Sequence, residues 1–178
     1  MKMLKKLLAV VLTGAMALTL LTACGSNAVT EKDIADAMND MAKAAEEDIT
    51  FTPRAKEREM AKAIAALSDE DLKELEESLK NSSLPEKAKE ILGINAGGAN
   101  ANNFVWCGAT YTDELGTSGQ ALNFMTQVMD KSANADKLRG KNPADDRYMG
   151  TALYKTVDEN GKQVTKRIIV VTAEAVAE

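Results

Sequence analysis

The feature that most constrains this chain lies at its amino terminus. Three lysines, Lys2, Lys5 and Lys6, precede a predominantly apolar stretch from Leu7 to Leu21. A basic start, a core of about 15 apolar residues and small residues before a cleavage point are typical of a secretory signal. The stretch is shorter than the roughly 20 residues that a membrane-spanning helix requires. We therefore expect residues 1–23 to be removed during export.

The end of this segment resembles the lipobox of bacterial lipoprotein precursors, in which a leucine and two small residues precede a cysteine. The matching residues are Leu21, Thr22, Ala23 and Cys24. The resemblance implies that the chain is cut before Cys24, whose thiol then carries a lipid. Two or three acyl chains hold a protein lastingly on a membrane, so we expect a lipid anchor and a position on the extracytoplasmic face of a cell membrane. An ordinary secretory signal is the alternative.

Removal of the signal leaves 155 residues with 19 basic and 27 acidic side chains, a formal charge of −8. A chain of this length forms one ordinary domain. We predict a lipidated tether at residues 24–29 and a single domain at residues 30–178. Residues 31–90 hold 17 of the acids and 10 of the bases, so they carry most of the negative excess. The acidic balance disfavours nucleic-acid binding, which requires a basic surface.

Capping patterns and apolar periodicity predict four helices within residues 30–92. Thr30 and Ser68 are typical helix N-caps, since each is followed three residues later by an acid. Thr52-Pro53 indicates the start of the second helix, because proline is favoured in the first helical turn. Gly93 is expected to end the fourth helix in a left-handed conformation.

The second half of the domain mixes strands with one helix. After a Gly- and Asn-rich loop at residues 93–103, residues 104–111 read as a buried strand whose side chains alternate between two faces. Residues 130–147 are interpreted as a polar loop. A fifth helix begins at Thr117, and its predicted inward residues are Ala121, Leu122, Met125, Val128 and Met129.

The chain closes with two predicted strands, residues 148–157 and 163–173. They are joined by Asp158-Glu159-Asn160-Gly161, and Asn-Gly between two strand-like runs predicts a hairpin. The continuous apolar run from Ile168 to Val171 is typical of a strand that is covered on both faces. The predicted fold class is α+β, with a helical first half packed on a small antiparallel sheet.

The order of these elements, and three segments within it, resemble the CAP superfamily of cysteine-rich secretory, antigen 5 and pathogenesis-related proteins. Residues 51–65 are similar to its second helix. The segment from Met129 to Ala135, with Ser132 in the middle, occupies the place of the family pattern Trp-x-x-Ser-x-x-His, and Gly150 that of its Gly-x-Gly strand. The resemblance implies an α-β-α sandwich. Because methionine and alanine replace the family's tryptophan and histidine, it also implies a member without the His/Glu cavity.

No pattern in the sequence predicts a catalytic residue. The chain contains no histidine, which excludes Ser-His-Asp, Cys-His and histidine-ligated zinc chemistry. Cys107 is a lone thiol once Cys24 is lipidated, and no cation lies near it in the sequence, so we interpret it as a small core residue. The acid clusters Glu46-Glu47-Asp48 and Glu76-Glu77 lie on polar helix faces and are interpreted as solvent-exposed. Trp106 and Tyr111 are predicted to lie in the core.

One segment carries oxygen-bearing side chains at alternate positions, as a calcium loop does: Asp130, Ser132, Asn134 and Asp136. The pattern fails at Ala135, where a calcium loop needs glycine, and at Lys141, where it needs a glutamate. We therefore predict no metal ligand and no cofactor.

These observations favour a binding or interaction lipoprotein of the cell envelope, without enzymatic activity. Its partners would be the membrane, through Cys24, and an envelope protein or a small ligand. The alternative is an envelope hydrolase that uses carboxylates or a Ser/Thr hydroxyl without histidine. Two acids that meet in a cleft would favour the hydrolase, whereas an apolar site would favour binding.

Overall fold

The computed structural model describes residues 29–80, 84–112, 115–129, 132–158 and 160–177. The predicted signal and Cys24 lie outside them. The elements are α1 (Glu31–Ala44), β1 (Thr50–Pro53), α2 (Ala55–Ala65), α3 (Asp69–Lys80), α4 (Glu86–Leu92), β2 (Asn103–Tyr111), α5 (Thr117–Gln127), a 3₁₀ turn (Ala135–Lys137), β3 (Lys141–Val157) and β4 (Gln163–Ala177). The predicted α+β class is confirmed.

The four strands form one sheet in the order β1-β3-β4-β2. Strands β3 and β4 are the predicted hairpin, whose turn is closed by a hydrogen bond from Asp158 N to Lys162 O at 2.9 Å. Strand β2 pairs antiparallel with β4, and β1 pairs parallel with β3. The sheet is therefore mixed, and the prediction of a purely antiparallel sheet is wrong at this one edge.

Helices cover both faces of the sheet. Phe104 and Trp106 of β2 pack with α1 and α5 on one side, here called the first face. Val105 and Cys107 pack with α2, α3 and α4 on the other side, here called the second face. The residues from Ile168 to Val171 are all fully buried, which confirms that β4 is covered on both faces. Membership of the CAP superfamily stays a prediction.

Local capping signals account for the helix ends that were predicted well. Thr30 Oγ1 accepts from Asp33 N at 3.2 Å, and the Asp33 carboxylate accepts from Thr30 N at 2.7 Å. Ser68 Oγ accepts from Asp71 N at 3.2 Å. Gly93 ends α4 with a φ of 65°. Each contact satisfies a backbone group that the helix itself leaves unpaired.

Thr52-Pro53 does not begin the second helix; it belongs to β1, and α2 begins at Ala55. Phe51 is buried against the first face, which draws this segment into the sheet. The side chain of Asn39 holds it there, because Oδ1 accepts from Phe51 N at 2.6 Å and Nδ2 donates to Phe51 O at 3.0 Å. These long-range contacts override the local proline signal.

Residues 141–147 are not the predicted polar loop. They form the first part of β3 and pair with the end of β4, which continues to Ala177 rather than stopping at residue 173. A bulge lies between Pro143 and Arg147. Because most of these residues are polar and exposed, the apolar alternation that would reveal a strand is absent.

Two predictions about side-chain burial are wrong. Tyr111 is 42% exposed instead of lying in the core. Phe124 of α5 is buried, although it was not among the predicted inward residues, whereas Leu122 and Val128 are only partly buried.

No helix in the described part of the chain is long and apolar enough to cross a membrane.

Gly150 allows α2 to lie directly against β3. A Cβ atom at this position would overlap the backbone of Glu57 and Arg58, which cannot move unless the whole helix moves. We expect Gly150→Ala to lower the free energy of unfolding by about 3 kcal/mol through overpacking, measured by urea denaturation. Gly119→Ala is the matched control, because its Cβ would meet the flexible Leu115 side chain at 3.2 Å. Equal losses in both variants would contradict the prediction.

Candidate ligand-binding site

The first of three polar networks joins α2 to the second face of β4. Glu57 is fully buried and accepts from Arg54 Nε at 2.7 Å, from Arg54 Nη2 at 2.5 Å and from Thr172 Oγ1 at 2.7 Å. Burial raises the pKa of Glu57, but the hydrogen bonds from Arg54 and Thr172 outweigh it and hold the pKa below its usual value. The Arg54 guanidinium also lies 3.8 Å from the centroid of the Tyr148 ring. Glu57 is thus an ionised structural group.

The second network joins α1 and α2 to the outer edge of β3. The Glu31 carboxylate accepts from Arg58 Nη2 at 2.6 Å and from Thr151 N at 2.7 Å. It therefore satisfies a backbone N–H at a point where β3 has no neighbouring strand, since β1 pairs only as far as Met149.

Arg167 extends this second network across the first face. It is 5% exposed and donates to Gln120 Oε1 at 2.9 Å, to Thr151 Oγ1 at 3.0 Å and to Val29 O at 2.7 Å. Burial lowers the pKa of Arg167 below its usual value, and the nearby carboxylate of Glu31 offsets this effect only in part. All three bonds go to neutral oxygens of the chain, so Arg167 fastens Val29, two residues before α1, to the sheet.

The third network centres on Glu76 of α3. Its carboxylate accepts from Tyr154 Oη at 2.5 Å and from Lys166 Nζ at 2.6 Å. Lys166 Nζ also lies 4.5 Å from the centroid of the exposed Tyr111 ring. Burial, together with the bond to Glu76, raises the pKa of Tyr154. Glu76 was predicted to be solvent-exposed, and this is wrong: it is half-buried and engaged.

Arg147 differs from these satisfied groups. It lies on β3 next to the bulge and is only 6% exposed. Its guanidinium carbon lies 5.0 Å from the centroid of the Trp106 ring and 5.8 Å from that of Phe51. Within the described residues, no carboxylate comes within the 4.0 Å of an ion pair with it, and its Nε has no acceptor.

The charge on Arg147 is retained despite its burial. Burial lowers the pKa of Arg147 to about 10, although the more distant carboxylates of Asp145 and Glu47 raise it. At neutral pH the guanidinium is therefore still protonated. A buried cation with no ion-pair partner is costly unless something pairs with it.

Trp106 supplies a second donor without an acceptor in the same aromatic cluster. It is 4% exposed, its Nε1 has no partner in the described part of the chain, and its ring stacks on Phe104 with centroids 6.0 Å apart. A buried donor left unpaired costs about 1–3 kcal/mol, and such groups are rare in native proteins. Because Arg147 lies against the Trp106 ring, a carboxylate or phosphate group that reached both side chains would accept from two donors that otherwise lack a partner in the described part of the chain. The cluster of Arg147, Trp106, Phe51 and Phe104 is called the Arg147 site below.

Two other buried atoms lack partners in the described part of the chain, the hydroxyl oxygens of Thr110 and Ser132. Both are neutral, so leaving them unpaired costs less than leaving a cation unpaired. They therefore give a weaker indication of a ligand than Arg147 does.

The residues singled out from the sequence are placed elsewhere. The calcium-like segment covers the edge of β2: Asn134 Oδ1 accepts from Val105 N at 3.2 Å, and Asn134 Nδ2 donates to Asn103 O at 2.7 Å. Asp130 lies outside the described residues. In the part of the chain that the structure describes, no group of three His, Cys, Asp or Glu side chains could hold a metal ion.

Arg147 was missed because it falls in the segment interpreted as a polar loop, where an arginine indicates only a solvated surface. Its aromatic neighbours come from distant parts of the sequence, so no local pattern could have identified it. No protein-family model, curated protein or solved structure matches the chain. The function is therefore inferred from the geometry of the site and from the predicted signal in the sequence.

Cys107 is buried on the second face, and burial raises the pKa of its thiol to about 12. The nucleophilic thiolate is thus nearly absent at neutral pH. We expect maleimide to label Cys107 of the native protein very slowly and to label it stoichiometrically in denaturant. Mass spectrometry of timed aliquots measures both rates. Fast labelling of the folded protein would contradict this interpretation and restore a redox or nucleophilic role.

Proposed function

We propose that the chain is a lipid-anchored protein on the extracytoplasmic face of a cell membrane, whose domain binds a ligand without catalysing a reaction. The anchor is inferred from the basic and apolar amino terminus that ends at Cys24. One observation supports the binding function: the buried, protonated Arg147 has no ion-pair partner in the described part of the chain and lies beside the unpartnered Nε1 of Trp106.

The chemistry of the Arg147 site defines the class of ligand. An anionic oxygen group, carboxylate or phosphate, would accept hydrogen bonds from Arg147 and Trp106, and such charge-assisted bonds are short and strong. The surrounding rings of Phe51 and Phe104 favour an apolar body attached to that group. A cation that destabilises the free protein is retained where function requires it.

No observation favours the alternative hydrolase. Such an enzyme would need an acid placed to donate or accept a proton, or an activated hydroxyl. The three glutamates that contact the sheet, Glu31, Glu57 and Glu76, each accept from a cation of the same chain. They link helices to the sheet and are not arranged around a substrate.

Trp106 is the only tryptophan, so fluorescence excited at its absorption edge reports on the Arg147 site directly. We expect octanoate and octyl phosphate to change the Trp106 emission saturably, and inorganic phosphate to act only at much higher concentration because it lacks an apolar body. Arg147→Met should abolish the response. Arg139→Met is the matched control, because the Arg139 side chain is 83% exposed.

The melting temperature of Arg147→Met separates a binding role of Arg147 from a structural one. Replacing an unpaired buried charge with an apolar side chain of similar length is expected to leave the melting temperature unchanged or to raise it. If none of the probes changes the emission, or if Arg147→Met responds as the parent does, the proposed binding function is wrong. A large fall in the melting temperature of Arg147→Met would show that the guanidinium supports the fold.

The anchor is tested separately from the binding site. We expect Cys24→Ala to prevent lipidation, so that the protein either leaves the membrane fraction or accumulates as uncut precursor. Cell fractionation and the intact mass of the product distinguish these results. Cys107→Ala is the control and should remain membrane-bound, because Cys107 is a buried residue of the domain. A fully processed Cys24→Ala protein that stays in the membrane would contradict lipidation at this residue.

A further inference from the structure

Three of the four large apolar side chains that are exposed in the described residues lie at one end of the sheet. They are Tyr111, Leu153 and Val157, which are 42%, 55% and 57% exposed. All three belong to the end formed by the β3–β4 hairpin, here called the hairpin end; Leu153 and Val157 point to the first face, and Tyr111, which pairs with Lys166, points to the second. The fourth, Val176, is 43% exposed and pairs with Asn142 at the opposite end. Exposed apolar groups that cluster in this way indicate a contact surface.

The predicted tether leaves the domain beside this same end. Val29 is the first described residue, and its carbonyl oxygen accepts from Arg167 Nη2 at 2.7 Å. Arg167 is the direct cross-strand partner of Leu153, and paired residues of an antiparallel ladder point to the same face. The Arg167 guanidinium, which also donates to Thr151 Oγ1, therefore holds Val29 near this part of β3.

The lengths of the tether and the hairpin match. The five Cα–Cα steps from Cys24 to Val29 span at most about 17 Å. Leu153 and Val157 are four residues apart on one strand, a distance of about 13 Å. A lipid on Cys24 thus lies within about 17 Å of Val29, and a bilayer that holds the lipid is within reach of Leu153 and Val157.

The hairpin carries few exposed basic residues. Of its four, Lys166 and Arg167 are buried, and Lys155 and Lys162 are exposed. Lys155 is exposed and lies between Leu153 and Val157 on the same face of β3. A lysine between two apolar side chains suits the boundary between lipid headgroups and acyl chains.

We propose that the hairpin end is a membrane-contact surface, on which Leu153 and Val157 of the first face enter the headgroup region of the leaflet that holds the lipid anchor. This inference depends on the proposed lipidation of Cys24. The lipid supplies the attachment, and the hairpin end sets the orientation: because the anchor already holds the domain at the surface, a weak contact suffices.

Depth-dependent quenching tests this orientation in the full-length, lipidated protein. A polarity-sensitive nitrobenzoxadiazole dye is attached to a single introduced cysteine in Leu153→Cys, Val157→Cys or Val176→Cys, since Cys24 carries lipid and Cys107 is buried. The proteins are reconstituted into vesicles of phosphatidylcholine and phosphatidylglycerol, with and without acyl chains brominated near the headgroup. We expect a blue shift and strong quenching at positions 153 and 157, and neither effect at position 176.

Vesicle flotation separates the two proposals. If the protein floats with the vesicles and positions 153 and 157 are quenched no more than position 176, the membrane-contact surface is wrong while the anchor stands. If a fully processed Cys24→Ala protein floats as the parent does, the anchor is wrong, and the membrane-contact surface, which depends on it, is overturned as well. As a second variant, Leu153→Glu combined with Val157→Glu should still float but should lose the quenching of a dye at Lys155→Cys. Unchanged quenching in that variant would also overturn the proposal.

Discussion

The structure depends on the burial of β4 on both faces. The residues from Ile168 to Val171 are fully buried and point alternately into two helical layers. At about 1.5–3 kcal/mol for each buried side chain, this run contributes an amount comparable to the net stability of a whole domain. Three polar residues of β4, Lys166, Arg167 and Thr172, lie beside the run and are buried with it. They need internal partners, which explains why each of the three polar networks includes a residue of β4.

Side-chain amides cover both outer edges of the sheet. Asn39 pairs with the N–H and C=O of Phe51 on β1. Asn134 pairs in the same two-point manner with backbone groups of Val105 and Asn103 on β2. An asparagine amide carries one donor group and one acceptor, so it can replace a neighbouring strand over one step of the ladder. At these two points the edge is satisfied and cannot pair with another chain.

The sequence predicts those elements whose determinants are local. The caps at Thr30 and Ser68, the hairpin turn and the alternation along β2 depend on neighbouring residues, so they could be identified without a structure. Strand β1 could not, because its pairing requires β3, which lies far along the chain. The Arg147 site is non-local in the same sense, since its aromatic partners come from β1 and β2. For Tyr111 the sequence predicted burial and the structure shows exposure. This residue ends the buried strand β2 and lies beyond the helices that cover the rest of that strand.

The shortness of β1 connects the fold with the proposed orientation at the membrane. Strand β1 ends at Pro53, which has no N–H, and the chain then turns into α2. Beyond Thr151, whose N–H is covered by Glu31, the outer edge of β3 therefore has no neighbouring strand. An exposed edge with apolar side chains favours association with other chains, and a lysine such as Lys155 only reduces this tendency. Contact of the hairpin end with the bilayer would remove this tendency to associate. The lipid anchor would place the exposed edge of β3 against the membrane surface, where other chains have least access.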